Sequence, residues 1–573
     1  MKKIKKVLAV ILSLAMVLGM SLTAFAATPS NSDKADLTIT GLEKGVTVKL
    51  YQIAHAEYGE GAVKGLLKYE WNTGVAFANP DEPTVDEINE VAQNIATLGK
   101  LVDTKTLGEG ETSYTYNAEA GAYIAILTSA DNDTVYNPII LSAAYGKEGA
   151  EAGSLSGAEI DAKDNYLYGT TAVAKSTDMT FDKTMEGYTP DKKEDGKDIA
   201  TATVGQVLTY TLNAKVPTYP KNATNKTFFM SDTMVTGLTF DYASLSVSIE
   251  GQNVVKEGNE FKLGEKVIAT AAPTPSAENP TGFNLNFTYD NLISDPATGA
   301  VYTPVVSYNA VINSTAVVGG DGNNNSADLY YAKEPNSGST WDTPDDKPDG
   351  AEGVDKKHDE EIVYTYQLAL HKIDTGDKSA LAGARFGIYT DEACTKLIDE
   401  VVTNENGYAV STRVGAGTYY IKELEAPAGY SLNDNVYKAV ASWTTATKTV
   451  TGTVITKVYT TEKPYEDALP VGWIKDGIFY AENPGEGAEV AYIKSETKES
   501  SSVTEVSKND TIGAGTVTSI TLGGEEVESI PNTKLGSLPS TGGIGTTIFT
   551  IGGCAIMIIA AALFFASRRR AVK

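Results

Sequence analysis

Short runs in which apolar and polar residues alternate recur along most of the chain. Examples are residues 46–51, 207–212 and 419–424, where Val, Leu, Ile or Tyr takes most second positions. Successive side chains of a β-strand point to opposite faces, so this alternation predicts half-buried strands. Turn residues separate the runs, and the chain contains 53 Gly and 31 Tyr. Together these features predict an all-β protein of tandem immunoglobulin-like β-sandwich domains in an elongated array.

The stretch from Thr84 to Leu98 has a helical period instead. Its apolar residues recur at three- and four-residue spacing: Val85, Ile88, Val91, Ala92 and Ile95. Thr84 followed by Glu87 has the spacing of a capping box. We therefore expect one amphipathic helix here.

Both the N-terminus and a mid-chain segment differ in composition from the β regions. Four lysines among the first six residues precede an apolar run and a small-residue cleavage pattern, so residues 1–26 are expected to be a signal peptide. Residues 333–361 are rich in Pro, Gly, Asp and Lys, which predicts an acidic linker. The three β domains are then expected at 35–172, 173–332 and 362–532.

The C-terminus carries a pentapeptide, an apolar segment and a basic tail in that order. The pentapeptide is Leu538, Pro539, Ser540, Thr541 and Gly542. The nineteen uncharged residues 548–566 are about long enough to span a bilayer, and 567–573 are basic. This order resembles the LPXTG cell-wall sorting signal of Gram-positive surface proteins. The resemblance implies that a sortase cleaves after Thr541, whereas an ordinary membrane anchor is the alternative.

Charge and cysteine content exclude several classes of function. The two ends hold eight basic and no acidic residues, so the remainder has a formal charge of −35 instead of −27, which argues against nucleic acid. Cys554 lies in the apolar tail, so Cys394 has no disulfide partner. With three His, a zinc site or Cys–His nucleophile is not expected, and residues 321–328 do not follow the EF-hand pattern. We expect neither a metal nor a cofactor.

Five polar residues occupy positions where the alternation expects an apolar side chain. These inward-facing residues are Lys183, Asp232, Asn325, Lys372 and Glu423. A lone buried charge costs several kcal/mol, and the simpler interpretation is an edge strand whose polar group reaches water. The alternative is a spontaneous amide crosslink. Burial would keep a lysine neutral and nucleophilic, and would keep a carboxylic acid protonated so that it polarises the Asn amide.

The middle domain resembles a known family at four segments. Residues 204–212, 231–238, 308–313 and 322–331 are similar to the isopeptide-forming middle domain of fimbrial shaft proteins. The resemblance implies a bond from Lys183 to Asn325, promoted by Asp232. Asn323 and Asn324 are alternative partners for Lys183. Asn325 is favoured only because its side chain is expected to point to the inner face of the strand.

The C-terminal domain resembles a collagen-adhesin B-type (SpaA-like) domain. Residues 370–374, 381–389 and 422–430 carry the similarity. It implies a bond from Lys372 to Asn532, promoted by Glu423. The N-terminal domain resembles this type more weakly and has Leu127 at the place of the glutamate, so no crosslink is expected there.

A shaft subunit also needs an exposed lysine that accepts Thr541 of another copy. Lys175, at the boundary of the first two domains, has the position of the pilin-motif lysine of such subunits. Lys221 lies in the sequence Tyr-Pro-Lys-Asn, which matches that motif locally, but this sequence is inside the middle domain. Lys175 is favoured by position.

These features predict a non-enzymatic structural protein, the shaft subunit of a sortase-assembled pilus, secreted and anchored to the cell wall. A monomeric wall-anchored adhesin is the alternative. The expected partners are sortase, further copies of the chain, peptidoglycan, minor pilins and host surface ligands.

Overall fold

The structure is a computed structural model. It describes residues 34–58, 66–72, 85–129, 133–147, 165–194, 196–221, 223–296, 298–318, 322–342, 353–442, 449–455, 457–494, 499–505, 515–516, 520–522, 525–527, 529–534 and 557. The expected all-β class is confirmed, and the sandwich domains follow one another along the chain.

The N-terminal domain packs two sheets around an apolar core. Its strands and helices are β1 (Lys34–Thr40), β2 (Val46–Tyr58), β3 (Leu66–Trp71), α1 (Val85–Gln93), α2 (Ile95–Leu98), β4 (Lys100–Thr106), β5 (Ser113–Glu119), β6 (Gly121–Ser129), β7 (Thr134–Tyr136), β8 (Ile139–Lys147), β9 (Asn165–Gly169), β10 (Thr171–Val173) and β11 (Ser176–Asp178). One sheet has the order β10-β1-β5 and the other β3-β2-β6-β8-β9, with β4 on β2. The predicted helix is confirmed as α1 and α2, while Thr84 lies outside the described residues.

This domain extends further along the chain than its expected end at residue 172. Strand β11 pairs antiparallel with β7, with Thr177 opposite Val135. The segment that holds Lys175 therefore runs along the N-terminal domain before the chain enters the middle domain.

The middle domain is a sandwich of a four-stranded and a seven-stranded sheet. Its elements are β12 (Phe181–Glu186), β13 (Thr189–Glu194), β14 (Lys197–Thr201), β15 (Val207–Ala214), β16 (Phe228–Met234), β17 (Leu238–Ser248), β18 (Val254–Glu257), β19 (Glu260–Leu263), β20 (Lys266–Thr274), β21 (Gly282–Phe287), α3 (Tyr289–Leu292), β22 (Ile293–Asp295), β23 (Ala300–Val301), β24 (Val305–Ile312), β25 (Asn323–Ala332) and β26 (Val354–Val363). The sheet orders are β12-β15-β24-β17 and β18-β19-β20-β21-β16-β25-β26. Buried Leu208, Leu212, Met230, Leu285 and Leu329 fill the space between them.

The prediction of an acidic linker is wrong for residues 354–361. They belong to β26, which pairs with β25 over ten residues, from Asn323 opposite Val363 to Ala332 opposite Val354. The sequence of this strand resembles that of a linker because the strand lies at the edge of the sheet. An edge strand carries charged side chains on both faces, which discourages pairing with other chains.

The C-terminal domain contains a B-type sandwich and a smaller inserted sheet. Its strands are β27 (Tyr366–Gln367), β28 (Ala369–Asp374), β29 (Arg385–Tyr389), β30 (Leu397–Val402), β31 (Tyr408–Val410), β32 (Gly417–Glu425), β33 (Val436–Ala441), β34 (Thr449–Ile455), β35 (Val458–Thr460), β36 (Gly472–Lys475), β37 (Ile478–Tyr480), β38 (Glu489–Lys494), β39 (Glu499–Glu505), β40 (Gly515–Thr516), β41 (Ile520–Leu522), β42 (Glu525–Val527) and β43 (Ile530–Asn532). The main sheets are β31-β28-β43 and β30-β29-β32-β33-β41-β42. Strand β28, near the start of the domain, and the last strand, β43, are parallel neighbours.

The middle and C-terminal domains are joined by many hydrogen bonds. Backbone bonds link Ala202 N–H to the Tyr364 carbonyl (3.0 Å) and Val204 N–H to the Arg413 carbonyl (3.1 Å). From the inserted sheet, Ala481 N–H donates to the Gly205 carbonyl at 2.8 Å. The contact between the two domains is therefore formed by main-chain groups of both domains.

Candidate functional site

The middle domain brings Lys183 and Asp232 together from opposite sheets. Lys183 lies on β12 and Asp232 on β16, and both side chains are completely buried. The Lys183 Nζ lies 2.6 Å from Asp232 Oδ2. Alternation along each strand explains why both point inward, since their neighbours at two-residue spacing, Met185 and Met230, are also buried.

Asn325 reaches this pair through a tyrosine. The Tyr308 hydroxyl donates to Asp232 Oδ2 at 2.5 Å and accepts a hydrogen bond from Asn325 Nδ2 at 3.1 Å. Asn325 Oδ1 is buried and has no hydrogen-bond partner in the described part of the chain. A buried carbonyl oxygen without a donor is costly.

Aromatic rings exclude water from the Lys183 amine. The amine lies 5.3 Å from the ring centroid of Tyr210 and 5.7 Å from that of Tyr308. The Tyr308 ring also meets Phe240 and Phe283 edge-on. Removal from water disfavours the charged amine, whereas the ring faces attract an ammonium group in part.

Burial shifts both titrating groups of this site toward their neutral forms. It lowers the pKa of Lys183, although Asp232 opposes the shift, and raises the pKa of Asp232, although Lys183 opposes it. A neutral amine is a nucleophile and a neutral carboxylic acid is a proton donor. The pair can therefore supply both parts of an amide-forming reaction.

The three consecutive asparagines differ clearly in their surroundings. Asn323 is tied to the main chain, donating to the carbonyls of Val317 (3.0 Å) and Val363 (3.2 Å). Asn324 points to the other face and donates to Glu360 at 2.7 Å. Asn325 is the member of the three that contacts Tyr308.

The C-terminal domain brings its three predicted residues into direct contact. Lys372 Nζ donates to Asn532 Oδ1 at 2.5 Å and lies 3.2 Å from Glu423 Oε1. Asn532 Nδ2 donates to both Glu423 oxygens, at 2.9 and 3.0 Å. All three side chains are buried. Burial lowers the pKa of Lys372, with Glu423 opposing the shift.

Strand pairing explains why these side chains meet. Lys372 lies on β28 opposite Ile530 of β43, and Asn532 follows two residues later on the same face. Glu423 on β32 comes from the facing sheet. The sequence did not indicate Asn433, whose backbone N–H donates to Glu423 at 2.7 Å.

The described part of the N-terminal domain contains no buried lysine or carboxylate. Leu127, at the place that corresponds to Glu423, is a core residue. The buried Gln52 side chain donates to the Tyr123 hydroxyl at 3.2 Å instead. The expectation of no crosslink stays a prediction.

The two candidate acceptor lysines are both exposed. Lys175 lies between β10 and β11, where its carbonyl accepts from Asn137 N–H at 3.1 Å and Ala174 N–H donates to the Thr40 carbonyl at 2.8 Å. Its backbone is thus held by the N-terminal domain while its side chain faces solvent. Partial burial lowers the pKa of Lys175. Lys221 lies in a turn of the middle domain.

The sorting pentapeptide, residues 538–542, lies outside the described residues, as do the signal peptide and almost all of 548–566. Within the described ranges, no helix is long and apolar enough to cross a membrane. The same ranges hold no group of three or more His, Cys, Asp or Glu side chains arranged to bind a metal ion.

Tyr308 is a residue of the middle-domain site that the sequence did not indicate. It lies at an inward position of β24, where the alternation predicts an ordinary core aromatic. A tyrosine instead of a phenylalanine at a fully buried position was the available signal, because a buried hydroxyl needs a partner.

Three family descriptions match the chain. They are the T6 antigen Ig like domain at residues 32–176, the prealbumin-like fold domain (SpaA) at 366–455 and the LPXTG cell wall anchor motif at 530–573. The chain is 40% identical over 570 residues to the trypsin-resistant surface T6 protein of Streptococcus pyogenes serotype M6. The match covers 98% of this chain and 99% of that protein.

Solved pilin structures are also similar. The T6 backbone pilin of serotype M6 Streptococcus pyogenes has 39% identity and a TM-score of 0.69, covering 88% of this chain and 99% of that one. The major pilin SpaD of Corynebacterium diphtheriae has 17% identity and a TM-score of 0.45, covering 72% and 93%.

Proposed function

The chain belongs to the family of sortase-assembled backbone pilins, and from this premise we propose that it forms the shaft of a covalently polymerised surface pilus. The observation that carries the proposal is the match to a T6 surface protein over nearly the whole of both chains, together with the anchor motif at the C-terminus. The chain is a secreted, wall-anchored substrate of sortase.

In this proposal two internal amide bonds stiffen the subunit. Lys183 is joined to Asn325 with Asp232 as promoter, and Lys372 to Asn532 with Glu423 as promoter. Support comes from the 2.5 Å contact between Lys372 Nζ and the Asn532 carbonyl oxygen, and from the complete burial of Lys183 and Asp232. Each bond converts a buried lysine amine into an amide, so that no charged amine has to be kept in the core.

The acidic groups promote these bonds by moving protons. The carboxyl accepts a proton from the lysine, and the neutral amine attacks the amide carbon. The carboxyl then returns a proton to the leaving nitrogen, so that ammonia departs. In the C-terminal domain Glu423 contacts both the nucleophile and the leaving nitrogen, so one residue can perform both transfers.

Intact mass of the mature chain tests these bonds. Two bonds should lower the mass by about 34 Da, because each one releases an ammonia of about 17 Da. Tandem mass spectrometry should recover the peptides that contain Lys183 and Asn325 as one linked species. An unshifted mass would rule out both crosslinks.

We further propose that sortase joins Thr541 of one copy to Lys175 of the next. The position of Lys175 between two strands, with a fixed backbone and an exposed amine, suits attack on an enzyme-bound acyl group. Its lowered pKa increases the fraction of neutral amine.

Denaturing gels of wall extracts test the linkage. The wild-type chain should give a ladder of high-mass species, Lys175→Ala should abolish it, and the matched control Lys221→Ala should leave it intact. A ladder that persists in Lys175→Ala would exclude Lys175 as the acceptor. A wild-type chain present as one wall-bound species would indicate a monomeric adhesin instead.

A further inference from the structure

The two crosslinking sites differ in how the carboxyl group reaches the leaving nitrogen. In the C-terminal domain, both Glu423 oxygens lie within 3.0 Å of Asn532 Nδ2. In the middle domain, the contacts of Asp232 are with Lys183 and Tyr308, both at Oδ2. Asp232 has one methylene less than a glutamate, and the Tyr308 hydroxyl occupies the position between it and Asn325.

The Tyr308 hydroxyl is placed as a bridge between the acid and the amide. It contacts Asp232 Oδ2 at 2.5 Å on one side and Asn325 Nδ2 at 3.1 Å on the other. Its ring is held by stacking on Tyr210, at 5.5 Å between centroids, and by edge contacts with Phe240 and Phe283. A hydroxyl can donate one hydrogen bond while accepting another, so a single group can hand on a proton.

The surroundings keep this phenol neutral. Burial, and then the charge of Asp232, raise the pKa of Tyr308 well above its ordinary value. A neutral phenol exchanges one proton for another without forming a phenolate, which the same burial would make costly.

We propose that Tyr308 is a catalytic residue of the middle domain, a proton relay from Asp232 to the leaving nitrogen of Asn325. The inference rests on the proposed Lys183–Asn325 bond and deepens it. The C-terminal site needs no such residue, since Glu423 performs the transfer directly.

The proton and bond changes balance as follows. Lys183 Nζ gives one proton to Asp232 and, as a neutral amine, forms a bond to Asn325 Cγ. Asp232 gives that proton to the Tyr308 oxygen while the Tyr308 hydroxyl proton passes to Asn325 Nδ2. The Cγ–Nδ2 bond breaks and ammonia leaves. The new amide nitrogen returns its extra proton to Asp232, and Tyr308 ends as it began.

Tyr308→Phe tests the relay in the mature chain, with the C-terminal bond as an internal control. The Lys183–Asn325 linked peptide should appear at least about 100-fold more slowly than in the wild type, since general acid–base groups contribute factors of this size. The Lys372–Asn532 linked peptide should form at the wild-type rate. Both are followed by mass spectrometry of samples taken over time after synthesis.

Two further variants separate a relay from packing. Tyr331→Phe removes another buried hydroxyl of the same core, one that contacts none of Lys183, Asp232 and Asn325 in the described part of the chain, and it should leave the rate within about threefold of the wild type. Asp232→Glu in the Tyr308→Phe background should restore bond formation, because the longer acid can reach Asn325 as Glu423 reaches Asn532.

The proposal is overturned if Tyr308→Phe crosslinks at the wild-type rate. It is also overturned if Tyr331→Phe slows the reaction equally and Asp232→Glu restores nothing. If Tyr308→Phe does not fold, a fluorotyrosine at position 308 keeps the shape and makes the phenol more acidic, and an unchanged rate then overturns the relay. A wild-type chain without the linked peptide would instead contradict the proposed bond itself.

Discussion

Glu423 is the residue on which the proposed C-terminal bond depends most directly. It contacts the amine of Lys372 and the amide nitrogen of Asn532 at the same time. Glu423→Gln keeps the shape but cannot take up and return a proton. We expect this variant to retain only the middle-domain bond, so that its mass falls by about 17 Da instead of 34.

The same variant should also lose stability. The bond closes a loop between residues 160 apart in sequence, and a crosslink over such a loop stabilises a fold by about 5 kcal/mol in the chain-entropy description. Glu425→Gln on the same strand is the control, because Glu425 is exposed. A Glu423→Gln chain that still loses 34 Da would contradict the assigned role.

Asp374 holds the chain where it leaves the C-terminal domain. Its carboxylate accepts from the Tyr430 hydroxyl at 2.8 Å and from Gly376 N–H at 2.6 Å, and lies 3.1 Å from Lys534 Nζ. These contacts, led by the Tyr430 hydrogen bond, lower the pKa of Asp374 to about 2 from its ordinary 3.8. Asn532 is the register partner of Asp374, so this contact lies beside the crosslink.

A lowered carboxyl pKa gives a defined pH dependence. The stabilisation by Asp374 is fully present above the unfolded-state pKa of 3.8 and is lost as the pH falls through about 2. The melting temperature of Asp374→Asn should lie below that of the wild type by a constant amount from pH 7 to pH 5. The difference should shrink between about pH 4 and pH 2. A difference that grows on acidification would contradict this assignment.

At the scale of elements, β26 decides whether the middle domain is complete. It covers β25 along its whole length, and Asp359 on β26 accepts the backbone N–H of Lys183 across the sandwich at 2.7 Å. Without β26, Asn323 would lose its Val363 partner and β25 would become an exposed edge.

Truncation tests the contribution of β26. A chain that ends at Thr365 should fold its middle domain and form the Lys183–Asn325 bond, whereas a chain that ends at Ala332 should do neither. Circular dichroism melting and intact mass report the two properties. A synthetic peptide of residues 353–365 should restore the shorter chain in part, and full folding without that peptide would show that β26 is dispensable.

At the scale of the whole molecule, the two proposed bonds define a path for tension along the pilus. Force that enters at Thr541 passes through Asn532 to Lys372, and through Asn325 to Lys183 and Lys175. Between the two bonds the path follows residues 325–372, which include β25 and β26. Because Asn323 lies opposite Val363, tension acts on the open end of this antiparallel hairpin.

A reversible disulfide across this hairpin tests the path. Ser326 and Glu360 are paired in register, so Ser326→Cys/Glu360→Cys can be bridged in a background of Cys394→Ser. In single-molecule pulling between Lys175 and the C-terminus, the reduced chain should lengthen by at most about 170 Å, the extended length of the 47 residues between the bonds. The oxidised chain should lack this step. A step of equal length in both states would contradict the proposed path.

The sequence by itself determined most of the strands, the inward facing of the residues proposed for crosslinking, and the preference for Asn325 among the three asparagines. Successive side chains of a strand point to opposite faces, so local geometry alone assigns each side chain to one face. Signals that are read as linear motifs, such as the C-terminal anchor, were visible for the same reason. They do not depend on what lies opposite them.

Only the tertiary structure decided which inward groups meet. Tyr308 and Asp232 come from strands of opposite sheets, 76 positions apart, and no periodicity reports a contact across a sandwich. The pairing of β26 was hidden because an edge strand is charged on both faces and so lacks the alternation of a half-buried one. Long-range packing placed Tyr308 between Asp232 and Asn325, and it placed β26 at the edge of the middle domain. These two features distinguish the proposed crosslinking site from a row of buried polar residues.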